Sequence, residues 1–279
     1  MPHRRRLADP QIEGDYPLFL AEPQRTPYDF HFQVLGFPVR VTPFFWIVAA
    51  LLGYEMARGL RDVRPGQFVW LVIWVAAVFL SILVHELGHA LMMRRYGSSA
   101  SVVLYHFGGL AIPGGYSVWG TSSRRRDPNQ QIWISLAGPG AQLGLAAAIL
   151  MALRVFGFRS LVDTVWPIDI LFPTAAEKRL PLALDVSLLF LVLPSIFWAL
   201  INLLPIYPLD GGHVARELFS MFGGADAVRW SLGLSLGTAI AAAVYLFTHG
   251  QSFNALLFVS LAVSNYQMLQ MLRFGGGPW

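Results

Sequence analysis

Six long apolar stretches punctuate the chain, and polar segments rich in Arg, Pro and Gly separate them. They run from about Val41 to Ala57, Phe68 to Met93, Gln131 to Leu153, Val186 to Leu209, Trp230 to Thr248, and Ser252 to Leu272. A bilayer core needs about 20 mostly apolar residues per helix, so each stretch predicts a transmembrane helix. Pro205 and Pro208 break the fourth, and Gly211 and Gly212 permit a tight turn after it. Two shorter segments carry a strand pattern. Phe30 to Val41 alternates loosely around Gly36 and Pro38, and Ser101 to Tyr116 is rich in β-branched and aromatic residues with Gly-Gly at two points. The second is too short for a span and reads as a re-entrant β-hairpin. The expected fold is an all-α polytopic membrane protein with about six transmembrane helices and a small membrane-associated β-hairpin. Its expected parts are a cytoplasmic N-terminal tail and short hairpin over 1–40, a helical core over 41–273, and a frayed end over 274–279 with Gly275 to Gly277.

Composition sharpens this picture. Of 279 residues, 55% are hydrophobic and 13% charged, about half the charged share of a soluble domain. Disorder and coiled coils need far more charge and are excluded. With no cysteine, thiolate metal sites and disulfides are excluded too. The net charge of +4 reads as loop charge, not as a nucleic-acid surface. With six spans, 13 basic residues fall on the side of both termini and 7 on the other, which predicts cytoplasmic termini. No apolar run precedes residue 41, so no cleaved signal peptide is expected. Phe44, Phe45, Trp46, Trp70, Trp74 and Trp133 are expected to face lipid or the interfacial belt. The segment from Gly157 to Asp185, with Trp166, Pro167 and Pro173, is expected in the outer interface.

Ionisable groups within an apolar span are costly and mark function. The second stretch holds His85-Glu86-Leu87-Gly88-His89. Residues i and i+4 share a helix face, so both imidazoles can address one metal ion. Glu86, about 100° round the helix, can reach a metal-bound water without being a ligand. A buried seam of hydrogen-bonded histidines is the plainer alternative, but nothing in it offsets the desolvation. Catalytic zinc wants a third protein ligand and an open position. Asp210, at the end of the broken fourth helix, is the best candidate. An ordinary cap for the next helix is its bland alternative, Glu217 is a weaker ligand candidate, and His213 a neighbouring polar group.

Together HELGHALMMRRYG at 85–97 and NLLPIYPLDGGHV at 202–214 resemble the two signature motifs of the site-2 protease family of intramembrane zinc metalloproteases. Further similarity lies in Phe107-Gly108-Gly109 and Ala137-Gly138-Pro139. Many members carry an Asn near the position of Gln142, so the role of that Gln is open. The resemblance implies one Zn2+ per chain held by His85, His89 and Asp210, with Glu86 as catalytic base and Asn202 as a hydrogen-bonding partner for substrate backbone or oxyanion. It implies cleavage of a transmembrane protein substrate within the bilayer, releasing a cytoplasmic fragment, and a site in a bacterial inner membrane. Neither a PDZ nor a CBS module is expected in this chain. His89 lies about 8–10 Å from the cytoplasmic helix end marked by Arg94 and Arg95, so water is expected to enter from the cytoplasm. The Ser101–Tyr116 hairpin could add an unwound substrate as a strand. The competing readings are a non-catalytic chaperone on the same scaffold, a metal transporter, and a CAAX-type membrane protease. A transporter would spread its polar residues over several spans. The CAAX type would need a downstream Glu ligand.

Overall fold

A computed structural model describes residues 23–106, 108–114, 127–165, 168, 177–222 and 226–274. The N-terminal tail before residue 23, Phe107, Gly115 and Tyr116, the Trp166-Pro167 and Pro173 positions and the terminal glycines lie outside the described residues. Chain order is β1 (Phe30–Val34), β2 (Phe37–Val41), α1 (Pro43–Gly59), α2 (Gln67–Arg95), β3 (Ser99–Tyr105), β4 (Gly108–Gly114) and α3 (Pro128–Val155). Then follow β5 (Phe158–Arg159), a 3-10 turn (Leu161–Thr164), β6 (Lys178–Arg179), α4 (Leu182–Asn202), α5 (Asp210–Phe222), α6 (Ala227–Thr248) and α7 (Ser252–Phe274).

Among the described residues five helices, α2, α3, α4, α6 and α7, are long and apolar enough to cross a membrane, and the chain is an integral membrane protein. The sixth expected span is α1, which at 17 residues is shorter than the rest. The fourth stretch is helical only to Asn202. Beyond it, residues 203–209 are non-helical before α5 begins, as its two prolines dictate.

The two hairpins are not separate features. They join edge to edge into one four-stranded sheet of order β1-β2-β3-β4, in which β2 and β3 pair in parallel. The parallel pair is possible because α1 and α2 form the crossover between those strands. Val39, Val41, Val102 and Leu104 from the two central strands pack with Phe45, Val78 and Ile82 of the helices. The expected lone hairpin is thus half of a sheet anchored in the helical core.

Local signals set the helix ends. Pro43 and Pro128 stand at helix starts, where a missing N–H costs nothing, and Asp127 accepts from Asn129 N–H. The end of α2 is a Schellman turn. Gly97, at φ 79°, donates to Arg94 O and Ser98 to Met93 O, which aims β3 straight back along α2. There Arg94 donates to Leu35 O and stacks on Phe37, tying the β1–β2 turn to the helix end.

Packing draws Phe45, Trp46, Trp70 and Trp74 inward from their expected places. Trp70 is fully buried and donates to Val63 O, and Phe45 is buried beside Trp46 and Phe79. Phe45 meets Phe79 across α1 and α2, and Trp70 packs on Ala57 of α1 and Phe190 of α4. Trp74, half-buried, donates to Ala49 O where Gly53 lets its ring approach the α1 backbone. Phe44 and Trp133 do stay exposed.

Polar ties close the periphery. Beyond α3, Arg154 pairs with Asp163, while Ser160 N–H and Leu161 N–H donate to Asp163 and Asp185. On the sheet, Asp29 bonds Thr26 and Arg40. Burial alone would raise the Asp29 carboxyl, but the Thr26 bonds and the Arg40 guanidinium outweigh it and hold it below the ordinary carboxylate value. That stabilisation is therefore present above the unfolded pKa and fades as pH falls through the folded one. Asp29→Asn should lower the melting temperature at pH 7, and the gap to wild type should close on acidification below about pH 4. Thermal melts across that range measure it.

Candidate metal centre

The site is built where α2, α3 and α5 meet. One turn separates His85 from His89 on α2, so both rings leave the same face. Their Nε2 atoms lie 3.0 Å apart. Asp210, the first residue of α5, places Oδ2 3.0 Å from His85 Nε2 and Oδ1 3.3 Å from His89 Nε2. Asp210 therefore faces the imidazoles and joins the group, which is the metal-competent cluster among the described residues. Glu217 is outside it, bonded by Ser220 on α5.

Each ring has a fixed orientation. His89 Nδ1–H donates to Ile134 O at 2.7 Å. His85 Nδ1–H donates to Gln142 Oε1 at 2.8 Å, because the Gln142 amide nitrogen is committed to Ser81 O and Ser81 Oγ. The chain of donors runs onward from Ser81 to Ser195 Oγ, which donates to Leu191 O. With both Nδ1 atoms protonated, the Nε2 lone pairs and the carboxylate converge on one point and cannot bond one another. Three acceptors so arranged suit a cation.

Three observations fit zinc. Donors about 2.0–2.1 Å from a tetrahedral centre stand about 3.3 Å apart, close to the separations here. Asp210 Oδ2 is buried without a hydrogen-bond partner, although 3.0 Å from His85 Nε2. Finally, a methyl on Gly138 would lie 2.2 Å from His89 Nε2 and 2.8 Å from His85 Nε2, so the absent side chain leaves room beside both rings. Neutral imidazoles and a carboxylate are the donor types of catalytic zinc sites.

The other glycines of the motifs serve the same assembly. On Gly88 a Cβ would meet Ala137 O at 2.4 Å, so its absence brings α2 against the α3 backbone, which runs through Pro139 as one helix. Gly211 and Gly212 press on the 203–207 backbone and allow the tight turn that delivers Asp210.

Glu86 is buried, stands outside the three-ligand group and lies against the sheet. Its carboxylate sits where a Gly109 side chain would be, with Oε1 2.4 Å from that position, and accepts from Ala111 N–H of β4. Among the described residues strand β4, like β1, is an edge strand of the sheet. Asn202 ends α4 and donates to Trp198 O of its own helix; the structure places it among none of the contacts above. Beside the site, α1, α2, α4 and the β3–β4 turn enclose a half-open apolar cavity of about 320 Å³, lined by Leu52, Val78, Ser81, Tyr105, Gly108 and Phe197.

Sequence reasoning left Gln142 open, and the structure gives it a place: fully buried, it holds His85. The signal was present, since an amide in the middle of an apolar helix must find partners. Gln142→Leu should weaken zinc binding by about 10–100-fold through loss of ring orientation. Competition with a chelator measures it.

Comparison with known proteins identifies the family. Residues 73–244, more than half of the chain, match peptidase family M50. The protein named Rip3 from Mycobacterium tuberculosis is 30% identical over 220 residues, covering 77% of this chain and 49% of that protein. Zinc metalloprotease MJ0392 from Methanocaldococcus jannaschii is 23% identical over 236 residues, covering 83% and 57%. The chain thus spans about half the length of the curated relatives it matches. A solved structure of a site-2 protease from Methanocaldococcus jannaschii is similar at a TM-score of 0.49 and 19% identity, over 87% of this chain and 95% of that one. The chain belongs to peptidase family M50, the site-2 protease family of intramembrane zinc metalloproteases.

Proposed function

We propose that this protein is an intramembrane zinc metalloprotease that hydrolyses a peptide bond within or near the transmembrane segment of a membrane-anchored substrate, releasing a cytoplasmic fragment. The observation that carries this reading is the convergence of His85, His89 and Asp210, with a buried carboxylate one residue from the first ligand.

His85, His89 and Asp210 would hold one Zn2+ per chain. Bound there, zinc supplies Lewis-acid polarisation of the scissile carbonyl and lowers the pKa of water to about 7. Glu86 accepts the attacking water's proton and passes it to the leaving amine. A substrate helix hides its carbonyls in backbone hydrogen bonds and must unwind before attack. The outer edge of β4 offers an unwound segment a strand to pair with, and the apolar cavity beside it suits the segment's side chains. Ala111 N–H lies on that strand and holds the base, so the strand that pairs with substrate also positions Glu86. Asn202 would contribute its amide to the substrate backbone or oxyanion. The reading places both termini in the cytoplasm, in a bacterial inner membrane, with water reaching the metal from that side.

The test is a comparison of membrane proteomes of cells carrying the wild type and Glu86→Gln. Full-length single-span proteins should accumulate with the variant, and their cytoplasmic fragments should be lost. Purified wild-type protein in liposomes should cut those candidates, a chelator should stop it, and zinc should restore it. A zinc-loaded wild type that cleaves none of them would refute the reading.

A further inference from the structure

The loop that carries Asp210 is gripped from outside the site. The backbone of Tyr207 is bonded through both its N–H and its C=O by the last two helices. Tyr207 N–H donates to Ser235 Oγ on α6 at 3.0 Å. Ser235 keeps its own hydrogen on Ser231 O, so its lone pair is aimed at the loop. On α7, Asn265 donates to Tyr207 O at 2.6 Å and, through its second amide hydrogen, to Leu261 O.

Both side chains are fully buried, and Asn265 Oδ1 has no hydrogen-bond partner. An amide held in an apolar seam with one acceptor unmet costs stability. Packing alone would favour an aliphatic side chain there. What Asn265 does provide is a donor to a backbone carbonyl that no helix satisfies, three residues before the carboxylate of Asp210. Around these bonds, Ala239, Ala243, Phe258 and Ala262 pack on Ile206 of the same loop. The loop's other backbone contacts are local turns, such as Leu209 N–H to Ile206 O.

We infer that Ser235 and Asn265 are positioning residues for the third metal ligand, and that docking of the α6–α7 hairpin is coupled to metal binding. This rests on the reading of Asp210 as a zinc ligand. His85 and His89 are oriented through Ile134 O and Gln142 of α3, the latter held by Ser81 of α2, and stand ready without the hairpin. Asp210 is not. With the hairpin away, the Tyr207 backbone loses both partners and the carboxylate loses its fixed place. Coupling is reciprocal, so zinc that needs the docked hairpin also holds it docked.

Two experiments test this in the full chain purified in detergent, with zinc alone as the probe. Ser235→Ala and Asn265→Leu should each lower zinc affinity by about tenfold or more, read by chelator competition. Ser260→Ala, on α7 but bonded only to Leu257 O, should not. Equal affinities across all four proteins overturn the assignment. The second experiment needs no variant. Zinc added to the metal-free wild type should slow amide exchange around residues 231–239 and 261–268 as well as around Asp210. Exchange in the hairpin that is indifferent to bound zinc overturns the coupling. A wild type that takes up no zinc instead overturns the metal reading on which the assignment stands.

Discussion

Glu86→Gln should retain one zinc per chain and lose proteolysis by about 10²–10⁴-fold in kcat/KM, the range that a positioned general base contributes. At 1.36 kcal/mol per decade this is about 3–5 kcal/mol of transition-state stabilisation. The substitution isolates the base because it is nearly isosteric. Glu86 is buried against Gly109 and accepts from Ala111 N–H, and a glutamine carbonyl can keep that bond and that packing. It cannot accept a proton from water. Zinc content, measured on the purified variant, separates this loss from collapse of the site. A Gln variant that cleaves at the wild-type rate would remove Glu86 from the chemistry altogether.

Gly138→Ala should have a comparably large effect by a different route. The new methyl would stand 2.2 Å from His89 Nε2 and 2.8 Å from His85 Nε2, well inside van der Waals contact. One of the rings must swing aside by about 1 Å, whereas zinc–ligand distances tolerate about ±0.2 Å. Zinc affinity should fall by at least about 100-fold, beyond what loss of an outer hydrogen bond causes, and activity should vanish with it. Gly140 provides the control. It lies on the same helix with nothing within 4 Å of its Cβ position. Gly140→Ala should keep zinc and add up to about 1 kcal/mol of helix stability. Metal analysis and melting curves of the two variants, two residues apart, should therefore diverge in opposite directions. Equal zinc content in both would mean that the ions sit elsewhere.

The contrast between Gly138 and Gln142 shows how much of the site the chain spelled out. Gly138 belonged to a segment marked only by its family resemblance, and the structure alone showed that its missing side chain makes room beside both imidazoles. Gln142 occupied a position where a family resemblance suggested another residue, and only its bonds to His85 and Ser81 revealed a place for it. Ser235 and Asn265 carried no signal above that of other polar residues in apolar helices. The fold divides similarly. Five of the six apolar stretches became helices of spanning length, and both hairpins formed, but their union into one sheet was not legible. Strand pairing between β2 and β3 joins residues about 60 positions apart, and no local pattern names the partner.

By itself the sequence determined what one or two helical turns can encode. Class follows from apolar runs, the two-histidine face from an i, i+4 spacing, the break before Asp210 from two prolines, and the reversal after α2 from Gly97. These are properties of adjacent residues and survive whatever the rest of the chain does. Tertiary structure alone decided which distant groups meet: Asp210 with the two histidines, Glu86 with the edge strand, Trp70 with the protein interior, Tyr207 with the last hairpin. Such contacts depend on the complementary shapes of surfaces that the chain brings together only on folding, and so no short stretch of it contains them.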